Sequence, residues 1–184
     1  GMALCAALGP AAARTPPDCA ALAADVGRAA GLPEGLLPTI SLVEAGKRWP
    51  DGSVKGWPWA INHAGKGMYF DTRAEALAYV RKAVAGGARN IDLGCMQINL
   101  RWHGEAFDTV EQMIDPAFNI PYAARFLSDL YRRHGSWEEA VKHYHSANPE
   151  FNIAYLERVR RNWPGAETAL ASAGAPQADG LLLA

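Results

Sequence analysis

Apolar residues recur at helical spacing along most of the chain. Asp18 can cap a helix through 20–30, with Gly31 and Pro33 as the stop signal. A second helix is predicted from near Pro33-Glu34 to Gly46, carrying Leu36, Leu37, Ile40 and Val43 on one face and Glu44 near its end. Thr72-Arg-Ala-Glu75 has the capping-box pattern and opens a helix with Ala76, Leu77, Val80 and Val84 on one side, closed by Gly86-Gly87. Similar boxes stand at Thr109–Gln112 and Ser136–Glu139. Asp115-Pro116 starts a long amphipathic helix with Ala123, Phe126, Leu127 and Leu130, ending at His134-Gly135. The last helix contains Ala154, Tyr155, Val159 and Trp163. Only 51–70 breaks this rhythm: Trp57–Asn62 and Met68–Phe70 predict a short hairpin as the sole β-structure. The expected fold class is therefore mainly α with a small β-hairpin element near residues 57–70.

The two ends depart from the pattern. Met2 to Ala13 is small and apolar and reads as the remnant of a signal peptide, so 1–17 is expected to be a flexible leader of an exported or periplasmic protein. An alanine-rich leader of a cytosolic protein fits the same composition. Residues 164–184 read as a flexible tail of small residues that cannot build a core. One domain over 18–163 remains, in line with about 150 residues per domain.

Composition narrows the function classes. The 184 residues carry 18 Lys and Arg against 19 Asp and Glu, a formal charge of -1, which argues against nucleic acid as a partner. No apolar stretch approaches the ~18 residues that span a bilayer, so stable membrane insertion is not expected. Cys5, Cys19 and Cys95 have no close paired spacing suited to zinc; Cys19 and Cys95 can form one bridge after export, or Cys95 is a small buried apolar residue. His143 and His145, two apart on a helix, point in different directions, so no metal and no cofactor is expected.

Candidate chemistry starts with Glu44. A carboxyl on a helix that is otherwise apolar on its inner face can keep its proton near neutral pH, as the general acid of glycosidic cleavage must. Taken alone, Glu44 reads first as a solvated glutamate at a helix end, since glutamate is almost never fully buried unless paired. The segment Asp92-Leu-Gly-Cys-Met-Gln-Ile-Asn99 adds amides at Gln97 and Asn99, and Trp57, Trp59, Tyr69, Phe70 and Trp102 are candidate platforms for sugar rings or else core residues.

Four segments occur in a telling order: Val43-Glu44-Ala45-Gly46, Pro58–Asn62, Gly94–Asn99 followed by Trp102-His103, and Ala140–Ser146. In this the chain resembles the soluble lytic transglycosylases, bacterial cell-wall enzymes, and particularly their small members associated with secretion and conjugation machineries. The resemblance implies a lysozyme-like α+β fold over 18–163 and a cleft for a peptidoglycan glycan strand. It implies Glu44 as the catalytic acid/base, with Asn62, Met96, Gln97, Asn99, Tyr144 and Trp59 binding substrate. It implies no cofactor, and as partners the glycan strand and components of a secretion or conjugation apparatus. Three positions depart from the family pattern: Ala45 replaces a serine, Cys95 a leucine and His145 an asparagine.

The reaction so implied needs one protein carboxyl. Glu44 protonates the oxygen between N-acetylmuramic acid and N-acetylglucosamine while the substrate's N-acetyl group attacks the anomeric carbon. Ionised Glu44 then takes the C6 hydroxyl proton, closing a 1,6-anhydro ring. A lysozyme-type hydrolase would need Asp51, Asp71 or Asp92 opposite Glu44; Asp51 and glycine-flanked Asp92 read as turn formers. A non-catalytic glycan-binding or scaffold subunit is the alternative from another class.

Overall fold

The computed structural model describes residues 15–176. It is 59% helical with a small antiparallel sheet, which makes it a mainly-α α+β fold as the periodicity predicts. Asp18 caps α1 (Cys19–Ala29), accepting from the amides of Ala20 and Ala21. The second helix, α2 (Leu36–Ala45), starts later than expected, because Gly35 takes a left-handed conformation (φ 77°) at its N-cap. α2 is the core helix of the domain: Leu36, Leu37 and Ile40 are fully buried, and it packs on α1 and on a later helix, α8 (Pro149–Asn162).

Two short strands follow at once, β1 (Gly46–Arg48) and β2 (Val54–Gly56), paired antiparallel. Gly56 is the point of closest approach: a Cβ there would lie 2.0 Å from Ser41 Oγ and 3.2 Å from Cys19 Cβ. The predicted hairpin is β3 (Ala60–His63) with β4 (Lys66–Tyr69), turning through Ala64 and Gly65, both at positive φ. It is not the sole β-structure, however. After α3 (Arg73–Ala85), held by the Thr72 capping box, β5 (Ile91–Leu93) and β6 (Ile98–Asn99) extend the sheet to the order β4-β3-β5-β6. These strands are too short for an alternating pattern to stand out, and β1–β2 was hidden behind its Asp51-Gly52 turn.

The remaining helices are α4 (Leu100–His103), α5 (Val110–Ile114), α6 (Pro116–His134), α7 (Trp137–His145) and α8 (Pro149–Asn162). Thr109, Asp115 and Ser136 cap α5, α6 and α7 as their sequences predict. The tail expectation fails for its described part. Residues Ala166–Ser172 form α9, with Ala166 buried and Leu170 against the core. Trp137 Nε1 donates to Gly174 O at 3.0 Å, and Ala169 and Leu170 pack on the core, so the rest of the domain supplies the apolar surface that this segment lacks. Within the leader, Thr15 to Pro17 line a groove walled by Trp49, Trp57 and Trp59; residues 1–14 lie outside the described part.

Cys19 and Cys95 are joined in a disulfide, with Cα atoms 5.6 Å apart across 76 residues of sequence. It ties the first residue of α1 to the turn between β5 and β6. None of the helices among the described residues is long and apolar enough to cross a membrane.

Candidate active site

Glu44 is the penultimate residue of α2 and opens onto a cleft of about 300 Å³. The helix brings it there because its other faces are committed to the core, which leaves one polar side chain at the rim of an apolar element. Burial pushes the carboxyl up to about 7, and the negative charge of Asp92 adds to this; the nearby Tyr155 hydroxyl and the charge of Arg158 pull the other way. A group with this pKa holds its proton through much of the neutral range and can also take one back, as a general acid/base must.

The opposite wall is the sheet. Register aligns Asn62 on β3 with Asp92 on β5, and Asp92 with Asn99 on β6. Residues directly opposite one another project to the same face, so these three side chains form a polar row, and all of them line the cleft. Asp92 is therefore a strand residue in the site, not the turn former its flanking glycine predicted. Burial raises its pKa, while the Asn99 amide, donating to Oδ1 at 2.7 Å, opposes the rise. The rest of Asn99 is also engaged: Nδ2 reaches Asn90 Oδ1 at 3.0 Å, and Oδ1 caps α4 by accepting from Arg101 N. Asn62 Oδ1 accepts from Gly65 N across the hairpin turn. Its amide nitrogen makes no hydrogen bond among the described residues.

The turn 94–97 is held rigidly. Gly94, at φ 78°, passes so close to Asn119 that a Cβ would lie 3.0 Å from its Nδ2. Asn119 is buried and knits the turn to α6: its Oδ1 accepts from Met96 N, and its Nδ2 donates to Leu93 O and Met113 O. Ser41 Oγ donates to Cys95 O at 2.9 Å. Gln97 lines the cleft at a strained φ of 48°, and its Nε2 donates to Ala60 O and Gly94 O, so its amide nitrogen serves the turn itself.

Met96 does not line the cleft as expected. Its side chain is fully buried, because the thioether is the apolar member of the turn and goes to the core; only its backbone serves the site. Trp59 is likewise absent from the cleft. It is 6% exposed and walls the separate tryptophan groove, where a large apolar ring is better covered than in a polar cleft. Trp57 lies in the same wall, with Nε1 donating to Phe70 O at 2.7 Å and Lys47 Nζ 3.9 Å from its ring centroid.

Tyr144 lines the cleft, but its hydroxyl donates to Met96 O at 2.7 Å. Burial, with the nearby charge of Glu44, holds its pKa well above the ordinary phenol value, so it stays protonated. The phenol bearing most directly on Glu44 is Tyr155 of α8, for which the sequence suggests no role beyond membership of the last helix. Its hydroxyl is buried and makes no hydrogen bond of ordinary geometry, yet stands near enough to favour the ionised carboxylate. Its ring stacks on His145 at 4.5 Å. The signal that singles out Tyr155 is that unsatisfied buried oxygen, which exists only once α8 is docked on α2.

Among the described residues no cluster of three or more His, Cys, Asp or Glu side chains could hold a metal ion. His143 stacks on His134, away from His145. His103, also in the cleft, has its pKa lowered by burial and shares a 2.7 Å hydrogen bond with the Tyr122 hydroxyl. Searches for similar proteins match this chain to no family model, no curated protein and no solved structure.

Proposed function

We propose that the protein is a peptidoglycan lytic transglycosylase in which Glu44 is the acid/base. One observation carries the reading: a carboxyl whose pKa is pushed up to about 7 opens onto a cleft whose other wall is a row of amide and carboxylate side chains. Protonated Glu44 delivers its proton to the oxygen linking N-acetylmuramic acid to N-acetylglucosamine as the N-acetyl oxygen bonds to the anomeric carbon. The ionised carboxylate, assisted by the Tyr155 hydroxyl, then removes the C6 hydroxyl proton; C6–O attack on the anomeric carbon displaces the N-acetyl oxygen and closes the 1,6-anhydro ring. Such acid/base participation contributes about 10²–10⁴-fold, the remainder coming from positioning. The disulfide supports an oxidising compartment, and the periplasm is the location we propose, where the glycan strand lies.

A second reading rests on Asp92. A carboxylate in the same cleft as Glu44 supplies the second acid that a lysozyme-type hydrolase uses, to stabilise or trap the sugar cation while water attacks. Mass spectrometry of muropeptides released from purified peptidoglycan separates the readings, since anhydro ends lie one water below reducing ends. Anhydro products support the transglycosylase; reducing ends transfer the assignment to the hydrolase. Tight binding of glycan with no release at all would make the protein a scaffold subunit.

A further inference from the structure

Of the six tryptophans in the chain, five are between 3% and 7% exposed, whereas Trp102 is 73% exposed. That outlier lines the cleft that holds Glu44 and Asp92. Its placement is built into the site. Trp102 sits on α4, whose N-cap is Asn99, the residue that also holds Asp92 by its amide. One side chain thus orients both the sheet carboxylate and the helix that carries the indole. The Arg101 guanidinium lies over the ring, 5.0 Å from its centroid, which steadies it and leaves the opposite face bare.

An indole kept bare at the rim of a polar cleft calls for a ligand with one flat apolar face and polar edges. Pyranose rings of β-1,4-linked N-acetylglucosamine type have this shape: their substituents are equatorial, so axial C–H bonds pave each face while hydroxyl and amide groups point sideways. Arg101 over the ring and Asp92 in the cleft oppose each other in charge, so the rim offers no net field to recruit an ionic ligand and suits a neutral sugar. We propose that Trp102 is the stacking platform of a sugar subsite, taking a neutral N-acetylglucosamine-type ring whose edge reaches the free Asn62 amide. This deepens the glycan-cleaving reading and rests on it for the identity of the polymer.

Because Trp102 is the one exposed tryptophan, its fluorescence reports on the subsite. The Glu44→Gln protein is titrated with chitin hexasaccharide while emission maximum and acrylamide quenching are followed, and affinity is measured in parallel by calorimetry. A blue shift and protection from quenching are expected, both lost in Trp102→Phe. Trp102→Ala should weaken the hexasaccharide about tenfold and Trp102→Phe about threefold. In the Glu44 protein, Trp102→Ala should raise KM for peptidoglycan with little change in kcat. Exposure makes both variants tolerable to the fold, and their melting temperatures verify this. Calorimetric binding with no spectral change, equal affinity in Trp102→Ala, or no hexasaccharide binding at all overturns the subsite. If wild type releases muropeptides while any of these holds, the catalytic reading stands and the platform falls. If nothing is released yet the hexasaccharide protects Trp102, the platform stands and the catalytic reading falls.

Discussion

Two of the molecule's concavities differ in kind. The tryptophan groove is the larger, about 880 Å³, with Trp49, Trp57, Trp59 and several prolines in its walls; the Glu44 cleft is about 300 Å³ and largely polar. The acids of the groove lie at its rim beside cations or donors. Asp71 is 3.9 Å from Lys47, Asp115 is 3.9 Å from Arg73, and Asp51 accepts from the Ser53 hydroxyl and amide, which hold its carboxyl below the usual range. Asp51, so held, stays ionised and does not serve as an acid near neutrality. In the cleft, burial outweighs the partners available to Glu44 and Asp92, and both carboxyls are pushed up. The proposed site is therefore marked by incompletely compensated burial of an acid, and not by volume or apolar walls.

The largest effect expected separates the two regions directly. Glu44→Gln should lower muropeptide release about 10³-fold or more, whereas Trp59→Phe in the groove should change it less than about threefold. Loss of release in the second variant with retention in the first would reverse the comparison. The same Glu44→Gln change should stabilise the protein at pH 8. The folded carboxyl titrates near 7 against 4.5 as its ordinary value, so ionising it costs stability that appears as pH rises between those values. Thermal unfolding should give the amide variant an advantage on the order of 3 kcal/mol at pH 8, fading to nearly nothing by about pH 4.5.

Next in size is the disulfide, which anchors the cleft turn 94–97 to α1. Replacing both Cys19 and Cys95 by serine should lower unfolding free energy by roughly 4 kcal/mol, as expected for so long a closed loop. Chemical denaturation with and without reductant measures it, and an unchanged midpoint would mean the turn is held by Ser41, Asn119 and Tyr144 alone.

Asp92→Asn should cut turnover about 10–100-fold and move the alkaline limb of the pH profile to lower pH, since removing the Asp92 charge lowers the pKa of Glu44. An unshifted limb would uncouple the two walls of the cleft. The smallest effects distinguish the two phenols. Tyr155→Phe should reduce turnover several-fold through Glu44, while Tyr144→Phe should mainly cost about 1 kcal/mol of stability by removing its bond to the Met96 carbonyl. Equal activity losses would assign both hydroxyls to the carboxyl.

Helix starts were legible because their signals are local. Asp18, Thr72, Thr109, Asp115 and Ser136 each bond an amide two or three residues ahead, so composition and spacing suffice to place them. Glu44 was legible for the related reason that it is a lone carboxyl near the end of an otherwise apolar helix. By contrast, Trp59 stands in an apolar run and Met96 in a mixed one, and nothing local says which core or groove each side chain enters. The α9 segment was misread because its own residues cannot make a core, while Trp137 and the core around Leu170 lie outside its sequence window.

By itself, the sequence determined the helical character, the caps, the hairpin at 60–69 and the candidate acid, all through interactions within a few residues. Only the tertiary structure decided what surrounds that acid. The Asn62–Asp92–Asn99 row depends on the register of three strands, the bridge of Cys19 to Cys95 on the seating of α1 against the turn, and the Tyr155 hydroxyl on the docking of α8 against α2. The physical reason is that a pKa, a stacking face or an unsatisfied hydroxyl is a property of groups brought together from distant parts of the chain, and it comes into existence when packing removes water from between them.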